Sequence, residues 1–180
     1  MNLGAPNRAP MRFGAPFCTA CPALLPGFEG SRGEGWVAAQ ALLLLANGAA
    51  TFLGPRLPPA VRVLARLLGL GAILGGSGLL LAGGWSLGRD LTPLPRPKAG
   101  ARLVRSGPYQ IVRHPIYSGL LIAAFGWALL HGRWLGLLAA ASLVHFFDAK
   151  ATREEAWLVE RFPDYPAYRE QVSKLLPGVY

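Results

Sequence analysis

The sequence predicts an all-α, multi-pass membrane protein with two N-terminal spans, a helical hairpin and a cytoplasmic C-terminal helical tail. Hydrophobic residues make up 52% of the 180 residues and charged residues only 15%, against about 25% in an average soluble domain. The apolar residues lie in long uncharged runs, as in helices that cross a hydrocarbon core of about 30 Å. The excess of Lys and Arg, 18 against 9 Asp and Glu, suits contact with anionic headgroups.

Residues 1–33 are rich in Pro and Gly and lack the apolar core of a secretory signal peptide. We therefore expect a flexible N-terminal extension. Its two cysteines, Cys18 and Cys21, have no second pair with which to complete a zinc site. No metal centre is predicted in the chain.

Residues 34–88 are predicted to hold two transmembrane helices. The uncharged run 36–53 nearly crosses the bilayer at about 1.5 Å per residue. Glycine and proline at 54–59 end this run, and a second apolar run follows at 63–85.

A glycine-rich segment, GLGAILGGSG, lies within the second run. Gly71 and Gly75 are four residues apart in it, a small-xxx-small pattern that predicts close approach of another helix on that face. A Rossmann domain is not predicted, because no strand precedes the glycines and no amphipathic helix follows them.

Residues 89–180 are expected to carry the chemistry, as a basic loop, a hairpin and a charged tail. The apolar block 116–147 is interrupted at 131–133, which predicts two antiparallel helices that turn there; whether these short halves cross the bilayer fully is open. The tail is predicted to continue the helix to about Arg161. The basic side chains of the loop are those of Arg89, Arg96, Lys98, Arg102, Arg105 and Arg113.

The distribution of charge among the loops predicts the orientation. The loop 89–113 and the tail hold most of the Lys and Arg, whereas the first connection has Arg56 and Arg62 and the hairpin tip has Arg133. The positive-inside rule therefore places the loop, the tail and the N-terminus in the cytoplasm. No nucleic-acid partner is expected, because the basic residues lie beside membrane ends rather than on a soluble face with stacking aromatics.

The densest polar motif is LVRSGPYQIVRHPIYSG, residues 103–119. His114 precedes a proline and Pro115 suits the first helical position, so a helix is predicted to begin here. Its N-terminus could receive a carboxylate or phosphate, with Arg113 as a second anchor. On composition alone, interfacial anchoring by Arg and Tyr is the favoured interpretation.

A second polar cluster, KATREE, begins the tail. Lys150 and Glu154 are one helical turn apart on one face, near enough for an ion pair or a shared ligand. Because the hairpin returns the chain to its starting side, these residues are expected beside His114 and Arg113.

Together these motifs resemble the isoprenylcysteine carboxyl methyltransferase family, which is related to the phospholipid N-methyltransferases. The matching features are LVRSGPY, RHPIYSG, a gap of one helical hairpin, EEAWLVERFPDYPAYREQV and a closing LLP, in order over residues 86–178. The resemblance implies a membrane-embedded S-adenosylmethionine-dependent methyltransferase without a Rossmann domain. It also implies a lipid-like or isoprenylcysteine-type acceptor and carboxyl O-methylation.

The resemblance further implies roles for particular residues. The expected catalytic residues are Arg113 and Glu154. The helix start itself, rather than the resemblance, suggests Arg113 for anionic groups of the cofactor or substrate, and Glu154 is expected to meet the polar groups of the cofactor. Lys150 stands where the eukaryotic enzymes have a substrate-contacting Arg, and it keeps the charge but not the planar fork. The expected cofactor contacts are Ala101, Arg102, Leu103, Val104, Tyr109, His114, Pro115, Ile116, Tyr117 and Glu154.

Two other functions stay open from the sequence. One is a phospholipid or small-lipid N-methyltransferase, whose acceptor is an amine. The other is a non-catalytic membrane protein that binds anionic lipid or a partner through its basic loop. The sequence does not predict the oligomeric state.

Overall fold

The computed structural model describes residue 30 and residues 32–96 and 100–180. The expectations for Cys18 and Cys21, for nearly all of the extension 1–33, and for Lys98 lie outside the described residues. Within them the chain forms five α-helices and no β-strand, which confirms the all-α prediction. The helices are α1 (Glu34–Ala50), α2 (Pro59–Leu87), α3 (Pro115–His131), α4 (Trp134–Arg161) and α5 (Tyr165–Gln171).

The helix boundaries follow the local chemistry of proline and glycine. The helix α2 begins four residues before the predicted apolar run, because Pro59 occupies the first helical position, where its missing N–H costs nothing. The predicted hairpin is confirmed: α3 ends at His131, and Gly132 turns the chain with a left-handed φ of 62°. The predicted charged continuation is also confirmed, since α4 runs without a break to Arg161.

Within the ranges that the structure describes, one helix is long and apolar enough to cross a membrane by length and composition. It is the segment Pro59–Asp90, which includes α2, and α3 is a shorter apolar helix. Much of the apolar surface of α2 faces outward, with Leu74 66% and Leu81 68% exposed.

The helices α2 and α3 are in backbone contact through glycines. A Cβ added at Gly69 would lie 2.7 Å from the carbonyl oxygen of Gly126, and one at Gly76 would lie 2.7 Å from that of Gly119. The prediction that Gly71 and Gly75 form the packing face is wrong, since both lie in open space. The contacting glycines of α2 are seven residues apart, close to two helical turns, so they share one face.

Backbone hydrogen bonds close both ends of the helix bundle. At the hairpin-tip end, which comprises residues 51–58 and 131–134, the Leu57 N–H donates to the Gly132 carbonyl over 2.8 Å. At the opposite, polar end, the His114 N–H donates to the Lys174 carbonyl over 3.2 Å. This second bond fixes the start of α3 against the C-terminal tail.

Candidate functional site

The start of α3 presents an aromatic pair at the polar end. His114 has a non-helical backbone and Pro115 takes the first helical position, as the sequence predicts. The ring of His114 is 6% exposed and stacks on Tyr117, with ring centroids 5.4 Å apart and planes within 3°. The imidazole is therefore held in one orientation by packing.

The two predicted polar clusters meet at Glu154. The Tyr117 hydroxyl donates a 2.7 Å hydrogen bond to Glu154 Oε2, and His114 Nδ1 lies 3.9 Å from the same oxygen. The Glu154 side chain is 25% exposed. Among the described residues this carboxylate thus has one hydrogen bond, and it remains accessible to a ligand.

The neighbouring Glu155 forms a buried ionic network. Its Oε1 accepts a 2.8 Å hydrogen bond from Arg113 Nε and lies 3.1 Å from His114 Nε2, and the side chain is 4% exposed. Burial alone would raise the pKa of Glu155, but the hydrogen bonds and charges of His114 and Arg113 outweigh it and lower the pKa to about 2. An ionised carboxylate only accepts, so His114 Nε2 carries the proton in this contact.

The guanidinium group of Arg113 makes hydrogen bonds within the protein. Besides Glu155, it donates to the carbonyl oxygens of Arg169, at 2.9 Å, and of Val172. Its side chain is 9% exposed. Arg113 therefore ties the start of α3 to α4 and to the tail.

Glu155 has no assigned role in the sequence prediction, although the sequence carries a signal for it. Leu143, Phe147, Ala151 and Glu155 are each four residues apart, and all four are buried in the structure. Side chains at this spacing share one helix face. A carboxylate that continues an apolar stripe of this kind is expected to be buried and paired.

Lys150 is a buried cation with a neutral hydrogen-bond acceptor. It is 1% exposed, and its Nζ donates a 2.5 Å hydrogen bond to Gln40 Oε1 on α1. It also lies 5.1 Å from the centroid of the Tyr117 ring. Burial lowers the pKa of Lys150 to about 8, an effect that the charge of Glu154 partly opposes. Lys150 forms no ion pair with any carboxylate that the structure describes.

Tyr109 is buried behind this cluster. Its carbonyl accepts a 2.5 Å hydrogen bond from the Tyr168 hydroxyl. Burial, and after it the charge of Glu154, raises the pKa of the Tyr109 phenol well above its usual value. The phenol thus lies within the electrostatic field of Glu154.

The segment 101–104 is irregular and lies before Tyr109. Ala101, Leu103 and Val104 are half-buried, whereas Arg102 is exposed. The Arg102 N–H donates to Asp90 Oδ2 over 3.4 Å. In the described part of the chain, no side-chain hydrogen bond joins this segment to Glu154 or Tyr117.

Two further features lie at the polar end. The Tyr165 hydroxyl is buried without a hydrogen-bond partner among the described residues. A cavity of about 340 Å³ lies beside α5, and none of the predicted cofactor contacts lines it. Its wall is formed by Arg105, Gln110, Ala167, Tyr168, Gln171 and Val172.

These features define a class of protein: an all-α chain with an apolar helix long enough to cross a membrane and a partly open carboxylate where two helices meet. Residues 64–165, more than half of the chain, match the family model described as phospholipid methyltransferase. The chain belongs to the phospholipid methyltransferase family.

Curated relatives bear out the predicted resemblance. The chain is 43% identical over 77 residues to protein-S-isoprenylcysteine O-methyltransferase of Schizosaccharomyces pombe, covering 42% of this chain and 33% of the relative. It is 34% identical to protein-S-isoprenylcysteine O-methyltransferase B of Arabidopsis thaliana, covering 61% and 55%. It is also 31% identical to steroid 5-alpha-reductase DET2 of Solanum lycopersicum, covering 60% and 42%. The chain thus spans between about a third and just over half of these relatives.

Proposed function

We propose that the chain is an integral membrane methyltransferase that uses S-adenosylmethionine to methylate the carboxylate of a lipid-like, isoprenylcysteine-type acceptor. The observation that carries this proposal is the family match over residues 64–165, which contains every proposed site residue from Ala101 to Glu154. Residues 89–180 would carry the chemistry, with residues 34–88 as a helical frame.

The residues around Glu154 are chemically suited to the cofactor. S-adenosylmethionine carries ammonium and sulfonium cations and ribose hydroxyls, all of which a partly exposed carboxylate can bind. The hydroxyl of Tyr117, which donates to Glu154 Oε2, would hold that carboxylate in place for these contacts. When bound, the cofactor supplies an activated methyl group. His114, Pro115, Ile116 and the segment 101–104 would complete its contacts.

Positioning is the main contribution expected from the protein. Displacement of a methyl group from a sulfonium needs little acid or base help once the reacting atoms are aligned. In the proposal, Glu154 orients the cofactor. Arg113 and Glu155 act behind it, because their network holds His114 and the start of α3 in place.

Lys150 supports a carboxylate as the acceptor. The buried ammonium of Lys150 is hydrogen-bonded to the neutral amide of Gln40 and has no ion-paired carboxylate among the described residues, and the charge of Glu154 offsets its burial only in part. The acceptor carboxylate would supply a paired negative charge, whereas an amine acceptor would add a like charge beside Lys150.

Membrane placement is part of the proposal. Four crossings, by α1, α2, α3 and the apolar part of α4 up to Phe147, would put the polar end and both termini in the cytoplasm. The outward-facing leucines of α2 would then contact lipid.

Methyl incorporation into two kinds of acceptor tests the proposal. Purified protein is incubated with methyl-labelled S-adenosylmethionine and either a prenylcysteine analogue or extracted phospholipids. We expect label in a base-labile methyl ester of the prenylcysteine. Label in lipid amines alone would overturn the carboxyl assignment, and absence of label from both would overturn this function.

The reductase relatives favour one second candidate, the reduction of a lipid-like substrate. A reductase needs a hydride donor such as a reduced nicotinamide nucleotide. Saturable binding of that nucleotide, without binding of S-adenosylmethionine, would select this candidate.

A further inference from the structure

We propose that the hairpin-tip end binds the phosphate of an anionic phospholipid headgroup. A cavity of about 200 Å³ lies there, between the connection after α1, the first turns of α2 and the tip of the hairpin. Its lining includes four arginines and a histidine: Arg56, Arg62, Arg66, Arg133 and His131.

The walls of this basic cavity are fixed by internal contacts. Arg56 and Arg133 face each other as an antiparallel bridge pair. The Trp134 N–H donates to the Pro55 carbonyl over 3.1 Å, and Arg133 Nη1 donates to the Gly54 carbonyl over 2.5 Å. The His131 ring packs against Phe52 with centroids 4.8 Å apart. These contacts fix the backbone positions of Arg56 and Arg133, and the helix α2 fixes those of Arg62 and Arg66.

Among the residues that the structure describes, no acidic side chain lies at the hairpin-tip end. Every acidic residue that the structure describes belongs to the opposite end: Glu34 begins α1, Asp90 follows α2, and the others lie from Asp148 onward. Arg62 and Arg66 are four residues apart on α2, a spacing at which like charges repel. A bound anion would offset this repulsion, which no described carboxylate does.

A phosphate attached to lipid is the anion that best fits this location. Guanidinium forks match phosphate oxygens in geometry and charge. Apolar residues next in sequence to the lining residues Phe52, Arg62 and Arg133 are exposed, with Leu53 57%, Val63 67% and Trp134 50% exposed. These side chains offer a surface to acyl chains, and Trp is typical of the membrane interface.

The bound lipid would not be the methyl acceptor. The whole of α3, 17 residues long, separates the cavity from the Glu154 cluster. At 1.5 Å per residue this is about 25 Å. The lipid site is therefore independent of the proposed methyl transfer.

Lipid titration of the full-length, detergent-purified chain tests the site. Phosphatidylglycerol and phosphatidylcholine are added in parallel, and bound lipid is measured by native mass spectrometry. We expect saturable binding of phosphatidylglycerol and weaker binding of phosphatidylcholine. The double variant Arg56→Gln/Arg66→Gln should weaken phosphatidylglycerol binding about tenfold or more, because charge-assisted contacts are lost.

Both substituted arginines are exposed, so this variant is expected to fold. Arg161→Gln, which removes an exposed arginine at the polar end, is the matched control and should bind as the wild type does. Equal binding of the two lipids, or wild-type binding by the double variant, would overturn the proposal. Inorganic phosphate that binds as tightly as phosphatidylglycerol would assign the cavity to a free anion and overturn the lipid assignment.

Discussion

Lys150 gives the proposed chemistry a pH dependence. Burial lowers its pKa to about 8, so the ammonium is lost as the pH rises through that value. With a carboxylate acceptor, kcat/KM should fall on the alkaline side with an apparent pKa near 8, since this ratio reports the free enzyme. Lys150→Arg keeps the charge and should shift the alkaline limb of the kcat/KM profile to higher pH. This role would be contradicted if the alkaline limb of the kcat/KM profile stayed at the same pH in Lys150→Arg, or if the wild-type rate rose with pH.

Glu155 is expected to matter for stability more than for chemistry. Glu155→Gln leaves the charge of Arg113 buried without its ionised partner, which typically costs about 3–5 kcal/mol. Thermal unfolding in detergent should show a large drop in the midpoint. Glu160→Gln, an exposed change on the same helix, should show little. Equal midpoints for the two variants would contradict the network described here.

The same carboxylate predicts a loss of stability in acid. Its pKa is lowered from 4.5 to about 2 in the folded protein, so the unfolded chain binds more protons between these values. The stabilising contribution is present above about 4.5 and is lost as the pH falls toward 2. The gap between the melting temperatures of wild type and Glu155→Gln should therefore narrow over this range. A gap that stays constant there would exclude titration of Glu155.

At the scale of helices, the contact between α2 and α3 rests on glycines. Gly76→Ala places a Cβ 2.7 Å from backbone atoms of α3 and should force the helices apart. Gly75→Ala is the matched control, because its Cβ meets nothing within 4 Å and Ala is the better helix former. Melting in detergent should show loss of stability for Gly76→Ala and none for Gly75→Ala. The reverse order would show that the helices pack through the other face.

The helices themselves could be predicted from the sequence, but the packing faces could not. Uncharged runs, Pro115 and the tripeptide 131–133 locate the elements because they act locally. The choice between Gly71 and Gly76 depends on which side of α2 meets α3, and an almost wholly apolar helix carries little polar contrast to mark that side.

The contacts of the candidate functional site could also be predicted from the sequence only in part. The meeting of Glu154 with His114 follows from one short hairpin, which the sequence predicts. The contact of Lys150 with Gln40 joins residues 110 positions apart. Such a pairing depends on how α1 docks against α4, and no local motif signals it.

For the whole molecule, the arrangement of the two ends predicts a four-crossing topology. In a background that carries Cys18→Ser and Cys21→Ser, Leu53→Cys marks the hairpin-tip end and Glu170→Cys the polar end. A membrane-impermeant thiol reagent should label Leu53→Cys in intact cells and Glu170→Cys only after permeabilisation. Labelling of both from one side would contradict the crossings.

The most direct test of the central claim is calorimetric titration of the purified protein with S-adenosylmethionine and with its demethylated product. We predict saturable binding by the wild type and by Glu160→Gln, and its loss in Glu154→Ala. Glu154 is suited to this test because it is partly exposed and its one hydrogen bond to a described residue is with Tyr117, so its removal is expected to spare the fold. Wild-type affinity in a folded Glu154→Ala variant would contradict the proposed cofactor site, and absence of binding to a folded wild type would contradict the methyltransferase function itself.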